Sequence, residues 1–326
     1  MTVTPRSLLR RWRAPSAEDR PDITGILIIL FAVLVVAGLL SPAFFNPRNI
    51  LNVLRQASAL GIMSLGQTIV LIAGGIDLSM VSTMQLAGIV AAAISSGRND
   101  LVPLAILVCL LLGAGVGLVN GLLVTRWNVP AFIATLSVSI VTTGVRLVAT
   151  YGAPPGSVPP LLRLLGHENT GPIPNAILLF AIFAFASWFA MNRTTFGRKV
   201  YATGGNRAAA RLSGVRTDRV QLLTYVISGL LAAIAGLVLI GYLGYADQWI
   251  GEGSELDSIA APIIGGASFA GGIGSIGGTI VGVLLVSVLL NLVLLLSLPA
   301  QWQYIVRGVV IILAVAMYAF VGRRRE

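Results

Sequence analysis

From Leu101 to Val124 no side chain carries a charge, and apolar runs of this kind recur along the chain. At about 1.5 Å of rise per helical residue, such a run is long enough to cross the roughly 30 Å hydrocarbon core of a bilayer. Inside lipid every backbone N–H and C=O must find its partner within the protein, which leaves only helices and closed barrels. Barrel strands are short and alternate apolar with polar residues, so unbroken runs exclude them. With 56% hydrophobic residues, 10% charged residues and a mean hydropathy of +0.90, the balance is that of an all-α polytopic membrane protein.

The apolar runs predict about ten membrane helices. They are Ile23–Leu40, Ala59–Ala73, Met80–Ser95, Leu101–Val124, Pro130–Thr150, Asn175–Met191, Val220–Leu243, Ile259–Ala270, Ile276–Leu296 and Trp302–Val321. Ser41 to Ser58 reads as a loop with an interfacial amphipathic piece, and Gly152 to Pro174, which holds His167, as an extramembrane loop. This divides the chain into a basic tail (1–22), a transmembrane domain (23–321) with a polar loop at 192–219, and a C-terminal tail (322–326).

Positive charge sets the orientation. Arg6, Arg10, Arg11, Arg13 and Arg20, then Arg126, the basic loop, and Arg323 to Arg325 all fall on one side when ten spans are counted. By the positive-inside rule that side is the cytoplasm, with both termini on it. The tail is too long and too charged for a cleaved signal peptide, so the first span is retained. The net charge of +10 fits cytoplasmic loops and anionic lipid, not nucleic acid. Cys109 is the single cysteine, so no intrachain disulfide forms.

The polar stretch Tyr201 to Val215, Y-A-T-G-G-N-R-A-A-A-R-L-S-G-V, stands between two apolar runs. Asn206 suits an N-cap, Arg207 to Ser213 a short helix, and Gly214 the left-handed position past its end. Two features oppose that helix. Arg207 puts a cation at its positive end, and Arg207 and Arg211 bring like charges together four residues apart. Either the arginines hold the loop in the cytoplasm, or they serve a partner.

Asp77, in G-G-I-D-L-S at 74–79, is a carboxylate between apolar segments. It caps the following helix or contacts a transported solute. The amides of Gln67, Gln85, Asn120 and Asn291 either bond between helices or line a path for a polyhydroxylated solute. Arg146 and Arg307 read as snorkelling side chains near span ends. The glycines from Gly265 to Gly278 suggest close packing and a tight turn; no G-x-x-x-x-G-K-[ST] loop is present. No H-E-x-x-H or G-x-S-x-G occurs, and His167 is the only histidine, so the sequence offers no catalytic centre and no metal site.

Four segments together resemble the permease subunits of bacterial ABC sugar importers, of the ribose, xylose and galactoside type within the branched-chain permease superfamily. They are G-I-D-L-S at 75–79, F-G-R-K-V-Y-A-T-G-G-N-R-A-A-A-R-L-S-G-V at 196–215, I-A-A-P-I-I-G-G-A-S-F-A-G-G-I-G-S-I-G-G-T at 259–279 and Q-Y-I-V-R-G-V-V-I-I-L-A-V at 303–315. The resemblance implies a type II ABC importer-like fold in the inner membrane. It implies a second permease copy or close paralogue, a cytoplasmic ATPase that binds ATP and Mg, and a periplasmic solute-binding protein. No cofactor would sit on this chain. Gly204, Gly205, Asn206, Arg207, Ala209, Arg211, Leu212 and Gly214 would form the helix that docks on the ATPase. Gln67, Asp77, Asn120 and Asn291 would be candidates for the pathway or its gate. Nucleosides, branched-chain amino acids, or an ion-coupled carrier using Asp77 remain the rival expectations.

Overall fold

The computed structural model describes residues 23–153, 156–299 and 301–323. The basic tail 1–22 and the last three residues of the C-terminal tail lie outside the described residues. The helices are α1 (Ile23–Leu40), α2 (Pro47–Ile72), α3 (Met80–Ser95), α4 (Val102–Thr125), α5 (Ala131–Thr150), α6 (Pro160–Gly166), α7 (Asn175–Arg193), α8 (Thr195–Gly205), α9 (Arg207–Leu212), α10 (Thr217–Leu243), α11 (Ser254–Ile264), α12 (Ile276–Leu295) and α13 (Trp302–Arg323). Two two-residue strands, β1 (Asn169–Thr170) and β2 (Ile173–Pro174), form an antiparallel hairpin within the loop after α6. Among the described residues, five stretches are helical, long and apolar enough to cross a membrane: Asn99–Thr125, Ala131–Thr150, Asn175–Arg193, Thr217–Leu243 and Ile276–Leu295.

Two expected boundaries move, for local reasons. The stretch expected to be interfacial, 41–58, is mostly the start of α2. Asn46 caps it by accepting from the Arg48 N–H at 3.0 Å, and Pro47 supplies a first residue that needs no donor. The expected span Ile259–Ala270 is instead an 11-residue helix, α11, shifted towards Ser254. That is only about 16 Å of rise, roughly half a bilayer. Past Gly265 the chain turns through Gly266, Gly271, Gly272 and Gly274, all at positive φ, which a helix cannot follow.

The bundle is organised around α10, which packs on α2, α3 and α4. Its closest approach is to α4. A Cβ added to Gly113 would stand 2.4 Å from the Gly229 carbonyl oxygen, and one on Gly229 would stand 2.1 Å from the Gly113 oxygen. Small residues at a helix crossing bring backbones within dispersion range, the main attraction between helices in lipid. The surrounding core joins Ile62, Met63, Leu65 and Ile69 of α2 to Met80 and Met84 of α3 and Leu231, Ala235 and Val238 of α10.

The chain reverses at two ends of this bundle. One end gathers the breaks at 73–79 and 265–275 with α8 and α9. The other gathers the segments 96–101, 151–153, 156–174 and 244–253. There the Gly97 N–H donates to Ser157 O at 3.0 Å, the Leu161 N–H to Asn99 Oδ1 at 2.9 Å, and Gln248 Nε2 to Thr150 Oγ1 at 2.5 Å.

Candidate functional site

At the first end, α8 and α9 form a projecting unit. Asn206 is extended and its Oδ1 accepts from the Ala209 N–H at 2.9 Å, so the expected cap is formed; Gly214 takes the left-handed conformation with φ 81°. The repulsion between Arg207 and Arg211 is relieved by a residue not singled out in the sequence. Asp218, across the turn, accepts from both arginine Nη2 atoms at 2.6 Å through one oxygen, Oδ1. It sits in the first turn of α10, where the macrodipole also favours a carboxylate. These are exposed pairs, each worth about 0–1 kcal/mol. Two cations on one anion leave a net positive knob. At its tip Leu212 is 92% exposed.

The base of the knob is locked to both helix breaks. The Gly272 N–H donates to the Ile72 carbonyl at 2.9 Å, joining the break after α2 to the break after α11. Gly204, the penultimate residue of α8, lies against this bond. A Cβ there would stand 1.8 Å from Ile72 O and 2.6 Å from Gly272 N. Tyr201, one turn earlier, donates its hydroxyl to Gly274 O at 2.9 Å. From the other side Tyr225 of α10 donates to Ile76 O at 3.2 Å. α8 therefore lies against the end of α2 and the break that leads from α11 to α12.

Asp77 lies within the first break, 2% exposed. Its Oδ1 accepts from the Ser79 N–H at 2.9 Å and the Ser79 hydroxyl at 2.6 Å, and its Oδ2 from the Ser228 hydroxyl at 2.7 Å. Asn120 Nδ2 donates to Ser79 Oγ at 2.6 Å. Asp77 and Asn120 thus tie the break to α4 and α10 in one buried polar knot. Asn291 is elsewhere: it exchanges amide hydrogen bonds with Asn49 at 3.0 and 3.1 Å, joining α12 to α2. Gln67 is fully buried on α2, and neither its Oε1 nor its Nε2 has a protein partner.

The two arginines expected to snorkel do not. Arg146 of α5 is 1% exposed; it donates to Gln85 Oε1 and lies 6.0 Å from the Trp249 ring centroid. Gln85 in turn donates to Ile250 O at 2.9 Å, so α3 and α5 together hold the segment 244–253. Covered by the segment 244–253, the guanidinium of Arg146 bonds a neutral amide instead of reaching water, and its Nε is left without a protein partner. Arg307 of α13 donates its Nε to Asp257 Oδ2 of α11 at 2.9 Å. Arginines in apolar runs carry no sequence signal for such partners, because the amide of Gln85 and the carboxylate of Asp257 lie on other elements.

Arg307 and Asp257 help to line a cavity of about 410 Å³ at the end away from α9. It is lined by the polar or aromatic Gln56, Tyr245, Asp247, Trp249 and Gln303 and by the apolar Leu60, Met63, Met84 and Leu239. That volume lies within the roughly 300–1,000 Å³ of small-molecule sites. Among the described residues no three His, Cys, Asp or Glu side chains gather as a metal site needs.

The family described as branched-chain amino acid transport system / permease component matches residues 49–315. The chain is similar to the ribose import permease protein of Escherichia coli K12, 40% identical over 294 residues, which is 89% of this chain and 91% of that protein. The ribose import permease protein of Bacillus subtilis 168 is 38% identical over 301 residues, 90% of this chain and 91% of the relative. The xylose transport system permease protein of Escherichia coli K12 is 32% identical over 360 residues, 92% of this chain and 91% of the relative. No solved structure matches the chain.

Proposed function

Since this chain belongs to the branched-chain amino acid transport permease family, we propose that it is the membrane-spanning subunit of an ATP-binding cassette importer that carries a monosaccharide inward. It is a transport component and not an enzyme. ATP and Mg are bound by a separate cytoplasmic ATPase, and solute is delivered by a periplasmic binding protein. Two permease copies, or this chain and a close paralogue, stand side by side in the inner membrane.

In this reading the α9 end faces the cytoplasm and the cavity faces the periplasm. Ten segments cross the bilayer: α1, α2, α3, α4, α5, α7, α10, α11 with its glycine turn, α12 and α13. The basic tail and the C-terminal arginines then share the side of the knob. Gly204, Gly205, Asn206, Arg207, Ala209, Arg211, Leu212 and Gly214 build and present the surface that meets the ATPase. Asp77 and Asn120 brace the first break instead of contacting solute.

The observation that carries this conclusion is the α8–α9 unit. An exposed, positively charged knob with a bare leucine at its tip is joined through Gly204 and Tyr201 to both helix breaks. That is the arrangement a protein driven from outside its own chain requires. The test is the Arg207→Glu, Arg211→Glu double variant in the reconstituted complex. ATPase activity stimulated by the loaded binding protein should fall sharply while the permease still inserts. Unchanged stimulation would contradict the role of the knob.

One observation favours a second cargo. The Asp257–Arg307 pair in the cavity offers both charges that an amino-acid zwitterion wants. These charges already bond each other at 2.9 Å, so a zwitterion must break that pair, whereas sugar hydroxyls bond both members without separating them. Uptake of labelled leucine against labelled D-ribose and D-xylose discriminates the two.

A further inference from the structure

The end of α7 carries a second exposed surface, apart from the knob. Ile182, Phe185 and Phe189 recur at helical spacing, and all three are exposed. Phe185 stacks on Trp188 with ring centroids 5.8 Å apart and on Phe189 at 6.5 Å, so the apolar stripe is continuous to the last turn. Arg193, the last residue of α7, closes it. Its guanidinium carbon stands 5.6 Å from the centroid of the Trp188 ring, within cation–π range. Thr194 then opens α8 by accepting from the Gly197 N–H at 3.5 Å, and the exposed face of α8 begins with Thr195, Arg198 and Lys199.

These cations have no acid of their own. From Thr170 to Thr217 the chain holds six Lys or Arg residues and neither Asp nor Glu. The ion pairs among the described residues join Arg98 to Asp100, Arg207 and Arg211 to Asp218, and Arg307 to Asp257, which leaves Arg193, Arg198 and Lys199 without a carboxylate. A second copy of the chain does not suit this face. Two copies inserted the same way would set cluster against cluster at one level, and like charges across an interface are costly. The cluster also stands apart from the knob: α8 rises about 15 Å between Thr195 and Gly205, and α9 begins past its far end. Arg193 itself ends a helix long and apolar enough to cross the membrane, which puts the cluster at headgroup depth.

We propose that the end of α7 and the start of α8 bind an anionic phospholipid of the cytoplasmic leaflet, with its acidic headgroup on Arg193, Arg198 and Lys199 and an acyl chain along Ile182, Phe185 and Phe189. The choice of leaflet rests on the importer reading above; the preference for an acidic headgroup rests on the charges alone. Trp188 suits the boundary between hydrocarbon and water, and the cation on its ring reaches out to the headgroups. Each juxtamembrane cation facing an acidic leaflet is worth about fivefold in affinity. α8 also carries Tyr201 and Gly204, so the lipid sits at the start of the helix whose other end lies against both breaks.

The test places the full-length permease in phosphatidylcholine vesicles that contain brominated phosphatidylglycerol or, in parallel, brominated phosphatidylcholine. Bromine quenches a tryptophan it touches, and the Trp188 signal is read as the difference between the protein and its Trp188→Phe variant. Brominated phosphatidylglycerol should quench Trp188 several-fold more effectively than brominated phosphatidylcholine. The preference should vanish in the Arg193→Gln, Arg198→Gln, Lys199→Gln triple variant. Should that variant fail to insert, Arg193→Gln alone should raise the half-quenching fraction of phosphatidylglycerol about fivefold. Equal quenching by the two lipids, or a preference that survives these substitutions, would overturn the site. Shielding of Trp188 from both lipids would also overturn it, and would assign the face to a second copy. The titration is repeated on the importer assembled with its ATPase, where the preference should persist; its loss there would give the cluster to the ATPase instead. If no ATPase assembles with the permease, the importer reading fails, and the vesicle titration still decides the lipid site.

Discussion

Adjacent glycines at the base of the knob should respond oppositely to the same methyl group. In Gly204→Ala the new Cβ would lie 1.8 Å from Ile72 O and 2.6 Å from Gly272 N, both backbone atoms. The two backbones must separate by about 1 Å, a strain of the size that costs about 1–3 kcal/mol in packed interiors. Opening also stretches the Gly272–Ile72 hydrogen bond, a further roughly 0.5–1.5 kcal/mol. Alanine returns up to about 1 kcal/mol of helix propensity in α8. The net loss is about 0.5–4.5 kcal/mol, with the middle of the range near 2. Gly205→Ala meets nothing within 4 Å and should be neutral or slightly stabilising. Thermal unfolding of the purified permease, followed by tryptophan fluorescence, should fall by roughly 2–8 °C for Gly204→Ala and not for Gly205→Ala. In the reconstituted importer, sugar moved per ATP should fall for the first variant alone. Equal melting points for the two variants would refute the idea that α8 is wedged against both breaks.

Other substitutions probe separate parts of the account. Tyr201→Phe removes the bond to Gly274 O and should cost about 0.5–1.5 kcal/mol, with less sugar moved per ATP; unaltered coupling would remove Tyr201 from the linkage. Asp77→Ala strands the Ser79 and Ser228 donors and should cost about 2–4 kcal/mol in a thermal melt, whereas Asp77→Asn, which keeps one acceptor, should cost less. Equal melts for both would show that the knot around the first break is not structural. Arg146→Met removes the bond to Gln85 and the contact with Trp249, and should speed amide hydrogen exchange in 245–253; unchanged exchange would mean that Arg146 does not hold that segment.

The sequence announced the features that depend on near neighbours. The cap at Asn206, the left-handed Gly214 and most apolar helices follow from residues a turn or less apart. The features it hid depend on distance along the chain. Asp218 relieves Arg207 and Arg211 from across a turn, and Asp257 meets Arg307 from another helix. The glycines at 271 and 272 read as a turn, but their register against Gly204 and Gly205 is set only when three segments converge. Gln67 drew attention as an amide in an apolar run; that both its polar atoms are buried without a protein partner shows only once the neighbouring helices are in place. The start of α11 was hidden because Ser254 to Ser258 is polar and acidic, so the apolar run reads from Ile259, and its end because the glycines past Gly265 sit in the same apolar run.

The central claim is that a chain without its own motor is moved through its arginine-bearing knob. It is tested most directly at Leu212, 92% exposed at the tip of α9. A single cysteine there, Leu212→Cys with Cys109→Ala, should react freely with maleimide in the isolated permease, be protected when the ATPase is bound, and cross-link to that ATPase with a short bifunctional reagent. Equal reactivity with and without the ATPase, and no cross-link in a complex that still transports, would contradict it.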